Sequence, residues 1–486
     1  MAQVACQPEG TEMSGGTVMA SKSIDQEVVQ RLAKAFDLAA LTGITLLLTL
    51  QASHTPYQHT VAGFFALFIA FAALRLIRGF DLYGAAAWFH GFSTAIKSLA
   101  ITATIGFAGW WLSPLFHLSL GQDWALGFVV LTGLYFAASR LFTHIWSQPF
   151  ARNGGLKQRI AIVGGGKAAE DAIHLIEQSS GLDAEVVGLF DDRFDNRSPE
   201  SIRKHRKLGK IGDLADFARG NRVDLVIVAI PMTAEQRLLQ ILKRLWVLPV
   251  DIRISAAAAE LKLSPRAYTY LGQLPLLNVF ERPLSGWDAF LKGAMDKVIA
   301  SVAIIALAPV MAGVALAVKL ESKGPVIFRQ KRFGFNNELV EVFKFRSMYT
   351  DMSDAKAAKL VTKNDPRVTR VGRIIRKSSL DELPQLFNVL AGTLSLVGPR
   401  PHATQAKAAG TLYDEVVDGY FARHKVKPGI TGWAQVRGWR GETDTTEKLE
   451  QRVKHDLEYI DRWSLGFDLY ILAKTPLALI KSENAY

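Results

Sequence analysis

Val298-Ile299-Ala300-Ser301-Val302-Ala303-Ile304-Ile305-Ala306-Leu307-Ala308-Pro309-Val310-Met311-Ala312-Gly313-Val314-Ala315-Leu316-Ala317-Val318 carries no charge and is closed at its ends by Lys297 and Lys319. A bilayer crossing takes about 20 apolar residues, so the run is long enough to span. As an ordinary span it would put everything after it on the outer side of the membrane. The residues that follow argue otherwise. Lys319, Lys323, Arg329, Lys331 and Arg332 form a cytoplasmic retention signal. Pro309 stands at mid-run, where it removes a helical hydrogen bond and biases Ala308 away from the α region. A helix broken at Ala308 and Pro309 enters and leaves by one face, provided protein or water satisfies the freed backbone groups. The run therefore predicts a re-entrant membrane helix over 298–318, with a kinked true span as the alternative.

Upstream lie four more apolar stretches, at about 38–52, 60–77, 98–116 and 124–143. Arg31, Lys34, Arg75, Arg78, Lys97, Arg140 and Arg152 flank them on one side, while the loops 51–59 and 117–122 hold no Lys or Arg. That asymmetry predicts a four-helix transmembrane bundle over 35–147, with both ends cytoplasmic. Four buried helices of a soluble bundle are the alternative. Residues 1–34 are polar and lack an apolar core near Met1, so a disordered cytosolic tail is expected rather than a cleaved signal.

With 486 residues, the chain needs two or three units. A charged fraction of 21% against 49% hydrophobic suits a chain that is part membrane and part water-soluble. The formal net charge of +12 implies anionic partners, and by itself does not choose among nucleic acid, lipid head groups and phosphorylated substrates. A single cysteine, Cys6, excludes an intrachain disulfide.

From Gln158 short β-branched runs alternate with amphipathic helices, and a Rossmann-like α/β domain is predicted over 155–280. Arg159–Val163 reads as a buried strand, and Gly164-Gly165-Gly166-Lys167-Ala168-Ala169 opens a helix as a G-x-G-x-x-A phosphate turn. A second strand, Glu185–Phe190, ends in Asp191-Asp192, at the spacing of a ribose-binding acid. Leu225–Ile230 and Val250–Ile254 add strands of a doubly wound parallel sheet. Such a turn also persists as scaffolding after binding is lost, and no Tyr-x-x-x-Lys pair follows it.

The remaining chain, 288–486, is basic. Val342–Met348 reads as a strand carrying Lys344 and Arg346, and Lys363, Arg367, Arg370, Arg373, Arg376 and Lys377 face one acid, Asp365. Arg370, Arg373 and Lys377 fall at helical spacing, as a solvated or lipid-facing stripe or a substrate-binding face. Ser379-Leu380-Asp381-Glu382-Leu383-Pro384-Gln385 follows. It reads structurally as Asp381 capping a helix, or as a Ser379–Glu382 capping box. The chemical reading uses the same carboxylates: adjacent helical residues point about 100° apart, so one attacks phosphorus while the other holds a divalent metal. Magnesium suits that work, since it takes one or two carboxylates plus substrate phosphate oxygens. Pro399-Arg400-Pro401 fixes a guanidinium between two rings, suited to a phosphate or a base edge. His402 reads as a satisfied loop histidine. Lys425–Trp433 reads as a basic loop with an aromatic anchor at the membrane interface.

Phe343–Met348, Ser379–Asn388, Ser395–His402 and Pro428–Val436 together resemble the bacterial polyprenyl-phosphate phosphoglycosyl transferases of the monotopic type. The four spans and the Rossmann-like middle resemble the large members that initiate exopolysaccharide or O-antigen repeats. The nearest likeness, including the closing Glu483-Asn484-Ala485-Tyr486, is to undecaprenyl-phosphate glucose phosphotransferases. The resemblance implies a C-terminal α/β catalytic domain on the cytoplasmic face of the bacterial inner membrane. It implies that Asp381 is the nucleophile, expelling UMP from a UDP-sugar and carrying a covalent phosphosugar to undecaprenyl phosphate. It implies Glu382 as the ligand of Mg2+, phosphate contacts from Arg376, Lys344 and Arg346, and uridine-side contacts from Pro399, Arg400 and Pro401. The implied partners are the UDP-sugar, undecaprenyl phosphate and membrane lipid, without nucleic acid. Gly133, Ala137 and Ala138 leave a homodimer open.

Two residues depart from the family pattern. Ala308 stands where smaller members often have Ser before the proline, and Arg437 where many have Asn. Two other readings compete with the transferase. A membrane-tethered NAD-dependent enzyme modifying nucleotide sugars requires a hydride-transfer pair, and a non-catalytic scaffold requires Asp381→Asn to be silent.

Overall fold

A computed structural model gives the fold and describes residues 26–52, 55–79, 91–152, 157–179, 184–193, 199–231, 233–256, 269–350, 365–402, 407–408, 411–412, 420–439, 441 and 445–481. The tail up to residue 25, Lys363 and the closing 483–486 lie outside the described residues.

Four long helices come first: α1 (Gln26–Gln51), α2 (Pro56–Gly79), α3 (Gly91–Leu112) and α4 (Gln122–Arg152). Residues 26–34, assigned by sequence to the tail, are already helical. Their first turns find a tertiary partner, with Arg31 lying 5.8 Å from the centroid of the Trp287 ring. Leu41, Phe65, Ile69, Ile105, Phe128 and Phe136 bury one cluster shared by all four helices. Gly106 and Gly109 allow close approach: a Cβ would stand 2.4 Å from Phe128 Cδ1 and 2.6 Å from Ile69 Cδ1. Phe64, Phe71, Trp111 and Phe142 point outward, exposed. These four helices and a fifth, Gly286–Glu321, are long and apolar enough to cross a bilayer. Rings turned outward on such helices mark a membrane-associated chain.

Arg140 is not a free flanking cation. Its Nη2 donates to Asp37 Oδ2 at 2.7 Å, and the Tyr135 hydroxyl donates to Asp37 Oδ1 at 2.8 Å. Gly133 serves packing within the chain, since a Cβ there would lie 3.0 Å from Leu99 Cδ1, while Ala137 and Ala138 stay exposed.

The middle domain is an eight-stranded mixed sheet. Its strands are β1 (Gln158–Val163), β2 (Ala184–Phe190), β3 (Ser201–Ile202), β4 (His205–Gly209), β5 (Leu225–Val228), β6 (Asp251–Ser255), β7 (Thr269–Leu271) and β8 (Leu274–Phe280), in the order β3-β4-β2-β1-β5-β6-β8-β7. The run β4-β2-β1-β5-β6 is parallel, and two buried clusters cover its two faces. The edges differ from the all-parallel expectation: β8 runs antiparallel to β6, β7 to β8 and β3 to β4. Gly164 makes the predicted tight turn, at φ +111°, where a Cβ would meet Ala229 O at 2.8 Å. The helix α5 (Lys167–Gln178) follows.

The fifth apolar helix, α8 (Gly286–Glu321), comes after α6 (Asp213–Gly220) and α7 (Glu235–Leu245). It is one helix of 36 residues, continuing through Ala308 and Pro309 where the sequence predicts a break. Proline deletes one donor, and the flanking hydrogen bonds carry the helix on. Both ends are tied to the same C-terminal domain. Near its start, Lys292 Nζ meets Asp468 Oδ2 at 2.6 Å and Ser395 Oγ donates to Asp296 Oδ2 at 2.7 Å. At its end, the Glu321 carboxylate accepts from Val371 N at 3.0 and 3.1 Å. Between these anchors Val302, Ile305, Val310 and Leu316 are exposed.

The rest of that domain comprises the antiparallel pair β9 (Ile327–Phe333) and β10 (Leu339–Phe345), α9 (Arg370–Lys377), a 3₁₀ turn Leu380–Glu382 and α10 (Gln385–Ala391). Parallel β11 (Ser395–Val397) and β12 (Gly429–Thr431), then α11 (Trp433–Val436), α12 (Thr446–Asp461) and α13 (Leu465–Lys481), complete it. Ala300 of α8, Leu386, Val397, Tyr459 and Ile471 share its core.

Candidate active site

Asp381 and Glu382 occupy the 3₁₀ turn between α9 and α10, and neither capping arrangement forms. Ser379, two residues before Asp381, stands at φ 59°, ψ 16°, the left-handed region. A non-glycine residue there costs about 1–3 kcal/mol, so packing holds the turn against local preference. Pro384 caps α10.

Asn388 of α10 locks this turn to β10. Phe343 N donates to its Oδ1 at 2.9 Å, and its Nδ2 donates to Glu341 O at 2.7 Å. That registration brings Lys344 Nζ to 2.9 Å from Glu382 Oε1. Arg400 reaches the same carboxylate, with Nη2 at 2.6 Å from Oε1 and Nη1 at 3.3 Å from Oε2. The loop around Arg400 is held at each residue: Gly429 N donates to Pro399 O at 2.9 Å, Arg423 Nη2 to Arg400 O at 2.9 Å, and Arg332 Nη1 to Pro401 O at 2.6 Å. Arg376 is half-buried on the last turn of α9, and its charge acts on Asp381. Arg370, Arg373 and Lys377 face away, exposed with Ile374.

The two carboxylates differ in electrostatics. Burial pushes Asp381 up; Glu382 adds to the rise, while Lys344, Arg376 and Arg400 oppose it. Burial also disfavours charge on Glu382, but Arg400 and Lys344 outweigh it and hold that group well below the usual carboxylate range. One group is thereby a settled anion and its neighbour a proton-sensitive one. Burial and Arg400 bring Arg332 down to about 10. Lys344, Arg332, Arg376 and Arg400 surround two carboxylates, leaving a surplus of positive charge suited to a phosphorylated ligand.

The sequence missed Arg332 as a site residue, having used it only as a topology signal; its position beside Arg400 comes from the fold. Arg346 is the opposite case. Its guanidinium donates to Lys323 O at 2.8 Å, Ser322 O at 2.7 Å and Val318 O at 3.3 Å. It closes the C-terminal end of α8, whose last carbonyls lack helical partners, instead of turning to the carboxylates. His402 is buried and well below its usual range through desolvation and Arg423 and Arg452, with Arg423 Nη1 2.6 Å from its Nδ1. It is a neutral structural residue, as expected. Trp433 is half-buried, and its Nε1 donates to Glu458 Oε2 at 3.0 Å within the domain. Lys425 faces the middle domain, its Nζ lying 5.2 Å from the Trp246 ring and 5.6 Å from the Phe280 ring. The expected ribose acid, Asp191, is buried and paired with Arg193 at 2.9 Å and Arg237 at 3.4 Å.

Residues 287–482, which contain every residue of this site, match the family of bacterial sugar transferases. Over 361 residues the chain is 37% identical to a UDP-glucose:undecaprenyl-phosphate glucose-1-phosphate transferase of Escherichia coli (strain K12), covering 74% of this chain and 76% of that one. The chain belongs to the bacterial sugar transferase family. The transferase is also 42% identical over 368 residues to an undecaprenyl-phosphate glucose phosphotransferase of Komagataeibacter xylinus, covering 76% of this chain and 66% of the relative. A UDP-glucose:undecaprenyl-phosphate glucose-1-phosphate transferase of Xanthomonas campestris pv. campestris is 36% identical over 331 residues, 68% of each chain. Residues 89–256 of the transferase match a family described as a CoA-binding domain.

Proposed function

We propose that this chain transfers glucose-1-phosphate from UDP-glucose to undecaprenyl phosphate, giving undecaprenyl-diphospho-glucose and UMP. The observation that carries the reading is the Asp381–Glu382 turn, with one carboxylate clamped by Lys344 and Arg400 and the other proton-sensitive among cations. The names of the relatives support the donor, the acceptor and the sugar.

In this reading an Asp381 carboxylate oxygen attacks the sugar-bearing phosphorus. The new P–O bond forms as the bond to UMP breaks, and UMP leaves with the electron pair. A phosphate oxygen of the acceptor then attacks the same phosphorus and the carboxylate is regained, the two-step pattern of covalent catalysis. Arg376 and the neighbouring cations neutralise charge gathering on the phosphoryl oxygens. Glu382 keeps Lys344 and Arg400 oriented. The donor set fits magnesium: Glu382 Oε2 carries a single 3.3 Å bond, and Asp381 stands beside it. Glu382 and substrate phosphate oxygens would hold the ion, which would supply Lewis-acid charge neutralisation.

The four N-terminal helices would form a transmembrane bundle in the bacterial inner membrane, with α8 re-entrant and the site on the cytoplasmic face. Packing of α8 on both sides of Pro309 against one domain supports this: Ala300 and Ala303 join one of its cores and Val314 and Val318 another, which a helix with its middle in hydrocarbon would not do. Such an enzyme performs the first committed step of an exopolysaccharide or O-antigen repeat. Nothing favours the NAD-dependent alternative, since Asp191 is engaged by two arginines.

The test is UMP release by purified protein given UDP-glucose, undecaprenyl phosphate and magnesium. UMP from the wild type and none from Asp381→Asn is the expected result. No UMP from any UDP-sugar, with folded protein in membranes, would sink the reading.

A further inference from the structure

Two arginines hold the Arg400 loop from behind, and each lies a few residues before a contact with the middle domain. Arg332 of β9 donates to Pro401 O at 2.6 Å. Four residues on, in the turn to β10, Asn336 Nδ2 donates to Ala218 O of α6 at 3.2 Å. Arg423 is fully buried, pairs with Asp456 of α12 and donates to Arg400 O at 2.9 Å. Two residues on, Lys425 Nζ lies over the Trp246 and Phe280 rings. Trp246 closes α7, and Phe280 ends β8. The two contacts are themselves joined. Asn337, next to Asn336, hydrogen-bonds His424, next to Lys425, and the His424 ring stacks on Phe333. Asn336 and Asn337 stand at φ 53° and 60°, a left-handed turn that asparagine tolerates better than most side chains. Beyond Lys425, Gly429 N donates to Pro399 O at 2.9 Å, and a Cβ on Gly398 would stand 2.5 Å from Lys427 O. Packing that close passes a shift of the 425–429 segment on to Pro399 and Arg400. Lys425 is half-buried and pulled down by desolvation, which Asp461 opposes; the faces of the two middle-domain rings favour its charge as well.

We infer that the middle domain seats the donor loop of the catalytic domain. Lys425, held by Trp246 and Phe280, and Asn336, held by Ala218 O, are positioning residues for Arg400, and through it for the nucleotide sugar. Lys425 acts through Arg423, and Asn336 acts through Arg332. The inference rests on the transferase reading, and it gives the middle domain a part in that reaction that needs no ligand of its own.

Kinetics on the full-length protein test it. Lys425→Ala and Asn336→Ala should each raise the KM for UDP-glucose by about three- to tenfold, with kcat and the KM for undecaprenyl phosphate within about twofold of wild type. Lys425→Arg, which keeps a cation over the rings, should bring the donor KM back to within about twofold. A role confined to stability would instead lower the melting temperature and the fraction of active enzyme and leave the donor KM in place. Trp246→Leu removes the same contact from the other domain. It should raise the donor KM by itself and add nothing to Lys425→Ala in the double variant. Leu239→Ala, at an exposed position of α7, should change neither constant. A donor KM unchanged in both alanine variants, or effects of Trp246→Leu and Lys425→Ala that multiply, overturns the proposal. Absence of UMP release by the wild type would instead strike the transferase reading, a separable result.

Discussion

Replacing Glu382 by Gln should move the acid limb of the pH–rate profile to lower pH. Glu382 accepts from Lys344 at 2.9 Å and from Arg400 at 2.6 Å, and both cations also act on Asp381. Glutamine keeps the shape, removes a like charge beside Asp381 and leaves both cations facing it. A like charge beside a carboxyl raises it, so removing that charge is expected to bring Asp381 down. The sign follows from the role. A nucleophilic carboxylate works ionised, so the wild-type rate is lost as pH falls through the raised pKa of Asp381, and the variant holds its rate further down. At neutral pH the variant should still be slower, by about 100-fold or more, because two charge-assisted bonds that orient Lys344 and Arg400 and the anionic ligand of magnesium are lost. Single-turnover UMP release from about pH 4 to pH 8 reads both effects. An acid limb that stays in place, or moves up, refutes the reasoning.

Arg346→Met removes the donors that close the end of α8. A stability loss of about 2–4 kcal/mol is expected in thermal melts, with the donor KM within about twofold of wild type. A phosphate-binding arginine would give the reverse pattern. Arg332→Met leaves Pro401 O without its 2.6 Å partner and frees the Arg400 loop. The donor KM should rise about tenfold, the effect of about 1.4 kcal/mol in binding, with a smaller change in kcat. Chelation should abolish UMP release, magnesium should restore it, and calcium, with its looser coordination, should restore it poorly. Full activity after exhaustive chelation would remove the metal from the account.

The apolar helices were legible because hydropathy over about 20 residues is a local property. The same holds for the turn at Gly164 and for the strands that bury both faces. Strands β3, β4, β7 and β8 were not legible: β3 and β7 are edge strands of two and three residues, and β4 and β8 are fixed by pairing with β2 and β6. Around the site, charge types packed near turn signals drew attention to Asp381, Glu382, Lys344 and Arg400, and the family resemblance implied their roles and that of Arg376. The sequence could not tell Lys344, near the end of β10, from Arg346, just past it, since their roles depend on where α8 ends and where α10 packs. Arg332 was hidden for the same reason. Its partner Pro401 lies 69 residues on, and nothing local marks that contact. Asp191 reads as a ribose acid only until Arg237, 46 residues away, is found against it. The path of α8 through Pro309 shows a further limit: a proline marks where a helix is weakened, while tertiary packing decides whether it ends.

The central claim is that Asp381 carries the phosphosugar. Its most direct test is to quench wild-type protein with UDP-glucose and magnesium in the absence of acceptor, digest it and weigh the peptide containing Asp381. The account predicts a hexose-phosphate adduct on that residue, formed together with UMP, discharged by added undecaprenyl phosphate and absent from Asp381→Asn. UMP release with no adduct on the wild type, or an equal yield of UMP from Asp381→Asn, would contradict it.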